Sequence, residues 1–237
     1  MQLTVIGSSP AWPNPGSVHS GYLVEAAGCG RLLLDCGPGV LGRLREWELL
    51  PVDAIVVTHL HLDHFGDLVP WCWLTHHGLG AGASPKLHLP PGGLEALEEV
   101  AATWGHERMF EGVFEVAEYR ESAPFDAGGF MIEPHRVDHY GMSAFGLRAT
   151  PPGGPTLGYS GDTGPCEGLR RVAAGASLLL CEATLAAASD DPPLRGHLSG
   201  DEAVAAADGR VLLTHRPVEL GTPSGAERAR DGSTYEL

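Results

Sequence analysis

The chain has 237 residues, 43% hydrophobic and 19% charged, enough for one large α/β domain or two small ones. Its formal net charge of −15, with only 15 Lys and Arg and no cluster among them, counts against a large polyphosphate partner such as tRNA or DNA. No apolar run nears the ~18 residues of a membrane span, MQLTVIGSSP reads as a first strand rather than a signal peptide, and five scattered cysteines without a CxxC point to a reducing cytoplasm.

In chain order, LTVIG (3–7), SGYLVEA (20–26) and RLLLDC (31–36) read as strands divided by Gly-rich breaks. VLGRLREW (40–47) has helical spacing, and DAIVVTH (53–59) is a buried strand. A helix over 68–78 starts near Pro70, KLHL (86–89) is a short strand, and GLEALEEVAATW (93–104) is a helix. FEVAEY (114–119), FMIEPHRVD (130–138) and AFGLRA (144–149) are strands. TLGYSGD (156–162) and SLLLCEAT (177–184) are strands enclosing a helix near 166–174; a helix over 199–207 and the strand RVLLTH (210–215) follow. Strands in both halves with helices between them predict two βα-rich layers face to face, an α/β sandwich. One domain is expected over 1–217. The tail 218–237 is polar and is expected to be disordered from Gly221 on.

The histidines carry the most information. Residues 58–64 read THLHLDH, directly after the apolar run Ala54-Ile55-Val56-Val57. His59 and His61 lie two apart and share a face; Asp63 and His64 open the next element. Imidazoles with a carboxylate suit zinc, iron or manganese. Asp162, His215 and His139 each stand at the end of a further strand, where α/β folds gather their sites. Any one alone would read as a turn or helix cap; together they make seven ligand-type residues, enough for two metals.

On HLHLDH, His139, SGDT (160–163) and LTH (213–215), the sequence resembles the metallo-β-lactamase superfamily across nearly the whole chain. That resemblance implies a four-layer αββα sandwich holding two divalent ions, zinc first with manganese or iron as alternatives. It implies His59, His61 and His139 on one ion, Asp63, His64 and His215 on the other, and Asp162 between them. The SGDT motif argues for the phosphodiesterase side of the superfamily. CEAT (181–184) and GHLS (196–199) resemble motifs of its RNase Z-like branch, which implies that His197 protonates the leaving oxygen and Glu182 orients His197. Asp63, besides binding metal, would accept a hydrogen bond from a metal-bridging hydroxide. The plain alternatives are a strand-end charge for Glu182 and a helix N-cap for Ser199.

The substrate is narrowed in the same way. His139 and Asp162 are only 23 positions apart, too close for the long tRNA-gripping arm of RNase Z. SGYL (20–23), LLLDCGPGVLGRL (32–44), SAFGLR (143–148) and YSGDTGPCEGL (159–169) resemble actinobacterial cyclic-nucleotide phosphodiesterases of this fold. The expected partner is therefore a small phosphodiester such as 3′,5′-cAMP, with no membrane and no large nucleic acid; relatives of the fold are often homodimers. The segment from His197 to His215 is shorter than that pattern, and a longer spacing after His139 leaves His135 as a rival ligand. The loop Gly7-Ser8-Ser9-Pro10 reads either as an anion-holding turn or as a plain one. Trp71 and Trp73 read as core before base-stacking residues. Rival readings are a lactone or thioester hydrolase, whose members place a Tyr or a basic patch near the metals; a tRNA 3′-processing nuclease, which needs a basic groove; and a non-catalytic metal-binding protein.

Overall fold

The computed structural model describes residues 1–78, 84–191 and 195–237. Its first half forms one sheet from β1 (Gln2–Gly7), β2 (Gly21–Glu25), β3 (Leu32–Leu34), β4 (Ala54–Val56), β5 (Lys86–Leu89) and β6 (Glu115–Glu118), adjacent in that order. The second sheet takes β7 (Phe125–Ala127), β8 (Phe130–Val137), β9 (Ala144–Thr150), β10 (Leu157–Tyr159), β11 (Leu178–Glu182), β12 (Arg210–Thr214) and β13 (Glu227–Arg228). The chain then returns to the first sheet as β14 (Thr234–Glu236), beside β1.

Alternation along the strands decides the layering. Leu32, Leu34, Ala54 and Val56 meet Leu157, Leu178, Leu180 and Leu212 in the cluster between the sheets. Leu33, Ile55 and Val57 face outward, under α1 (Val40–Glu46), α3 (Leu68–His76) and α4 (Gly93–Ala102). Leu179, Cys181, Val211 and Leu213 face outward under α5 (Glu167–Ala173) and α6 (Gly200–Ala206). Both faces of each sheet are covered, so the inner strands are continuous apolar runs. The architecture is the αββα sandwich that the sequence predicts. Pro70 falls in the first turn of α3, where its missing N–H costs nothing. No helix among the described residues is long and apolar enough to cross a membrane.

Two elements correct the sequence reading. The tail is not a loose end: β13 pairs with β12 and β14 with β1, so 218–237 closes an edge of each sheet. Ala229 joins the central core, and Asp231 accepts from Ser8 Oγ at 2.8 Å and Val18 N at 3.0 Å. Strands of two and three residues are too short for alternation to reveal them. Ser8 and Ser9 are likewise engaged within the fold, since Ser9 Oγ accepts from Asn14 N; the early loop is a braced turn.

β3 to β6 run parallel, as do β10 to β13. β8 is antiparallel to β9, and β9 to β10, so β8 also ends on the edge where β10, β11 and β12 end. His59, His139, Asp162, Glu182 and His215 lie at or just beyond those carboxyl ends.

Candidate metal centre

After β4 the chain runs extended through His59 and His61, then turns into the single-turn helix α2 (Leu62–Phe65), which carries Asp63 and His64. Gly37 allows this segment to pack: a Cβ there would lie 2.0 Å from the Asp63 carbonyl oxygen. His139 follows β8 and Asp162 follows β10. His215 leaves β12 in the left-handed region, φ 49°.

These seven residues form two clusters that share one carboxylate. His59, His61, His139 and Asp162 offer ligand atoms all within 4.8 Å of one another, as do Asp63, His64, Asp162 and His215. His139 Nε2 and His61 Nδ1 are 2.9 Å apart, and His215 Nε2 is 3.0 Å from Asp63 Oδ2. Asp162 Oδ2 lies 3.9 Å from His59 Nε2 and 3.4 Å from His215 Nε2. The structure thus brings together the seven residues singled out in the sequence, with Asp162 in both groups. His135, the rival ligand, sits within β8 and joins neither cluster.

The donor set fits metal ions on an independent observation. Among the described residues, His59 Nε2, His64 Nε2 and Asp162 Oδ1 are buried and make no well-aligned hydrogen bond, although His64 Nε2 stands 3.3 Å from Asp162 Oδ1. Leaving such atoms unpaired costs about 1–3 kcal/mol each, and a cation would satisfy all three. The rear nitrogens, by contrast, are held. Asp35 Oδ2 accepts from His64 Nδ1 at 2.7 Å, the Gly196 carbonyl accepts from His139 Nδ1 at 2.7 Å, and Thr58 Oγ1 is 3.1 Å from His59 Nδ1. Metal-binding histidines are oriented in this way by their other ring nitrogen.

Charge is balanced inside the cage. Burial, then His64, push the His59 imidazole well below its ordinary pKa. Burial also opposes the charge on His64, but Asp162 and Asp35 outweigh it and hold His64 well above its ordinary value. Burial favours neutral carboxyls, yet His215 and His64 keep both Asp63 and Asp162 far below the usual carboxylate range.

A third group abuts the cage. Glu182 is fully buried at the end of β11, and its Oε1 accepts from His197 Nδ1 at 2.8 Å and Thr163 N at 3.0 Å. The His197 ring stacks beside His215, centroids 5.7 Å apart and planes within 17°. Burial works against a charge on His197, but Glu182 outweighs it and raises its pKa to about 9. The shortened His197–His215 stretch, which contains α6, leaves His197 beside the cage. Ser199 takes its plain role: its Oγ caps α6 by accepting from Glu202 N. Trp71 is core, while Trp73 is 37% exposed beside His76, His77 and His106.

Sequence reasoning passed over the supporting residues. Asp35 directly follows the apolar residues Leu32-Leu33-Leu34, much as Asp162 closes TLGYSGD, and that placement was the available signal. Its two oxygens accept from His64 Nδ1, Tyr159 OH at 2.6 Å, Thr58 Oγ1 at 2.9 Å and Thr58 N at 2.7 Å. Tyr140, directly after His139, has φ 45° and donates its hydroxyl to Asp191 at 2.9 Å.

Residues 30–215 match the family described as the beta-lactamase superfamily domain. An uncharacterized protein of Mycobacterium tuberculosis is 36% identical over 223 residues, covering 92% of this chain and 81% of its own. Ribonuclease Z of Mycobacterium bovis is 30% identical over 196 residues, 76% of this chain and 69% of its own. Among solved structures, the metallo-beta-lactamase fold protein YhfI from Bacillus subtilis superposes with a TM-score of 0.79 at 26% identity, over 99% of both chains.

Proposed function

The chain belongs to the metallo-β-lactamase superfamily, and from that premise we propose that this hydrolase cleaves a small phosphodiester at a two-ion centre, with 3′,5′-cyclic nucleotides as its foremost substrates. The observation that carries the reading is the Glu182–His197 pair standing against the metal cage: a protonated imidazole beside a cation site is equipped to give a proton to an alkoxide leaving from phosphorus. The likeness to a ribonuclease, a class that cleaves phosphodiesters, supports the same chemistry.

His59, His61 and His139 would hold one ion, Asp63, His64 and His215 the second, with Asp162 between them; zinc suits this set, with manganese or iron as alternatives. When bound, two such ions supply Lewis-acid neutralisation of phosphate charge and a water acidic enough to attack near neutral pH. The chain's own groups do the rest. Asp63, kept ionised, accepts a hydrogen bond from the attacking water. Water adds to phosphorus, the bond from phosphorus to the ribose 3′-oxygen breaks, and that oxygen takes a proton, giving a 5′-monophosphate. His197 supplies the proton: Glu182 engages its Nδ1–H, which leaves Nε2 as the donating nitrogen.

Two arginines near the cage, Arg195 and Arg216, are committed elsewhere, which favours a small substrate over tRNA. Arg195 pairs with Glu202 at 2.7 and 2.8 Å, and Arg216 donates to the Ala183 and Gly221 carbonyls. The Tyr expected of a lactone hydrolase has a counterpart in Tyr140, but its hydroxyl is spent on Asp191.

The test is turnover of bis-p-nitrophenyl phosphate, 3′,5′-cAMP and an N-acyl-homoserine lactone by metal-loaded protein, with His197→Ala alongside. Turnover of cAMP that falls about 10²–10⁴-fold in the variant supports the proposal. Reaction of the synthetic diester alone keeps the chemistry and removes the substrate. Turnover of the lactone alone overturns both.

A further inference from the structure

Three of the five imidazoles in the cage have their rear nitrogens held by Asp35, Thr58 and Gly196. The fourth, His215, is held by Thr184, whose hydroxyl has more to do than hold one ring. Thr184 Oγ1 lies 2.8 Å from His215 Nδ1, 3.0 Å from Glu182 Oε2 and 3.0 Å from the His215 carbonyl. The same Glu182 takes His197 Nδ1–H on its other oxygen. One buried carboxylate therefore reaches two stacked imidazoles, one directly and one through a single hydroxyl.

Resting on the two-ion reading above, we propose that Thr184 is the positioning residue that sets the tautomer of His215 and ties the second ion's ligand to the proton-donating pair. The hydroxyl has one proton and three acceptors within reach. A carboxylate is the strongest of these, because charge-assisted hydrogen bonds are roughly twice as strong as neutral ones. Glu182 Oε2 therefore takes the proton, and it also accepts from Thr184 N at 3.0 Å. With its proton committed, Thr184 Oγ1 faces His215 only as an acceptor, so His215 must present Nδ1–H to it.

That assignment matters because the ring is pulled from both sides. Asp63 Oδ2 is 3.0 Å from His215 Nε2 and, acting alone, would draw the imidazole proton to that nitrogen. A ring protonated at Nε2 has no lone pair for an ion. Thr184, polarised by Glu182, draws the proton to the rear nitrogen and leaves Nε2 as a donor atom. The left-handed backbone at His215 and the 17° alignment with His197 are geometry that this clamp maintains. The first cluster is outside its reach, since the rear nitrogen of His59 is held by Thr58 and that of His139 donates to the Gly196 carbonyl.

The test uses the full chain with zinc as the probe. Zinc affinity is measured for both equivalents by chelator competition in wild type, Thr184→Val and Thr184→Ser, with thermal unfolding to compare their stability. Loss of a group supporting a metal-binding histidine typically costs 10–100-fold in affinity. The expected result is that Thr184→Val weakens one equivalent by about that factor and leaves the other unchanged, and that Thr184→Ser restores it. In ¹⁵N-histidine spectra of the metal-free protein, the wild-type His215 proton should sit on Nδ1, and in Thr184→Val it should move to Nε2, beside Asp63. Wild-type affinity for both equivalents in Thr184→Val overturns the assignment while leaving the two-ion reading intact. Equal weakening of both equivalents with lowered unfolding temperature overturns it in favour of a purely structural role. A wild-type chain that binds no zinc overturns the proposal and the reading beneath it together.

Discussion

Replacing Glu182 by Gln removes a charge and keeps the shape. Its oxygens accept from Thr163 N, His197 Nδ1, Thr184 N and Thr184 Oγ1, so a Gln amide would turn two donors toward donors. The larger effect falls on His197, whose side chain is only 15% exposed and whose pKa is about 9. Burial remains in Glu182→Gln and favours the neutral ring, so the pKa should fall to the ordinary 6.5 or below. That is a shift of about 2.5 units, or roughly 3 kcal/mol at 1.36 kcal/mol per unit. Because the folded-state pKa is raised, this stabilisation is complete below about pH 6.5 and is lost as pH rises through about 9. The metal-free variant should therefore be less stable than wild type by a margin that shrinks by about 3 kcal/mol between pH 6 and pH 10. Urea unfolding at the two pH values reads the margin, and an NMR titration of the His197 ring reads the pKa directly. Bound cations would lower both values while keeping their order, so the alkaline limb of turnover should move toward lower pH in the variant. A margin independent of pH, or a ring titrating alike in both proteins, would refute the reasoning.

Two further substitutions probe the scaffold of the cage. Asp35→Asn cannot accept all four of the hydrogen bonds that Asp35 receives and leaves His64 without its anionic partner, so urea unfolding should show a loss of about 3–5 kcal/mol. Zinc uptake should weaken in the same protein by about 10–100-fold, measured by chelator competition. Gly37→Ala would press a methyl group against the Asp63 carbonyl, so the α2 segment must move; a stability loss of about 1–3 kcal/mol and weaker binding at the cluster holding Asp63 and His64 are expected. Unchanged ion affinity in Gly37→Ala would show that the close approach does not position that segment.

The sequence disclosed the cage better than its supports, for a physical reason. Four ligand-type side chains within six residues after Ala54–Val57 have no common structural explanation, so HLHLDH stood out, and the inner strands were continuous apolar runs because both faces are covered. Asp35, Thr58 and Thr184 are single polar residues at strand ends, where turns and caps use the same residue types. Gly196 supports His139 through its carbonyl, which every residue type possesses. The edge strands β13 and β14 and the single turn of α2 span at most about one and a half periods of their own pattern, too few repeats to stand out, so only backbone pairing reveals them. The early Ser8-Ser9 turn was ambiguous until Asp231 and Asn14 were seen to occupy its hydroxyls.

The most direct test of the central claim is a titration of metal-free protein with zinc, following bis-p-nitrophenyl phosphate turnover at each step and repeating it with Asp162→Ala. Two clusters joined by one carboxylate predict that turnover climbs to a plateau at two equivalents, and that the variant neither holds both ions nor turns over. Turnover that survives chelation, or a variant that matches wild type, would contradict it.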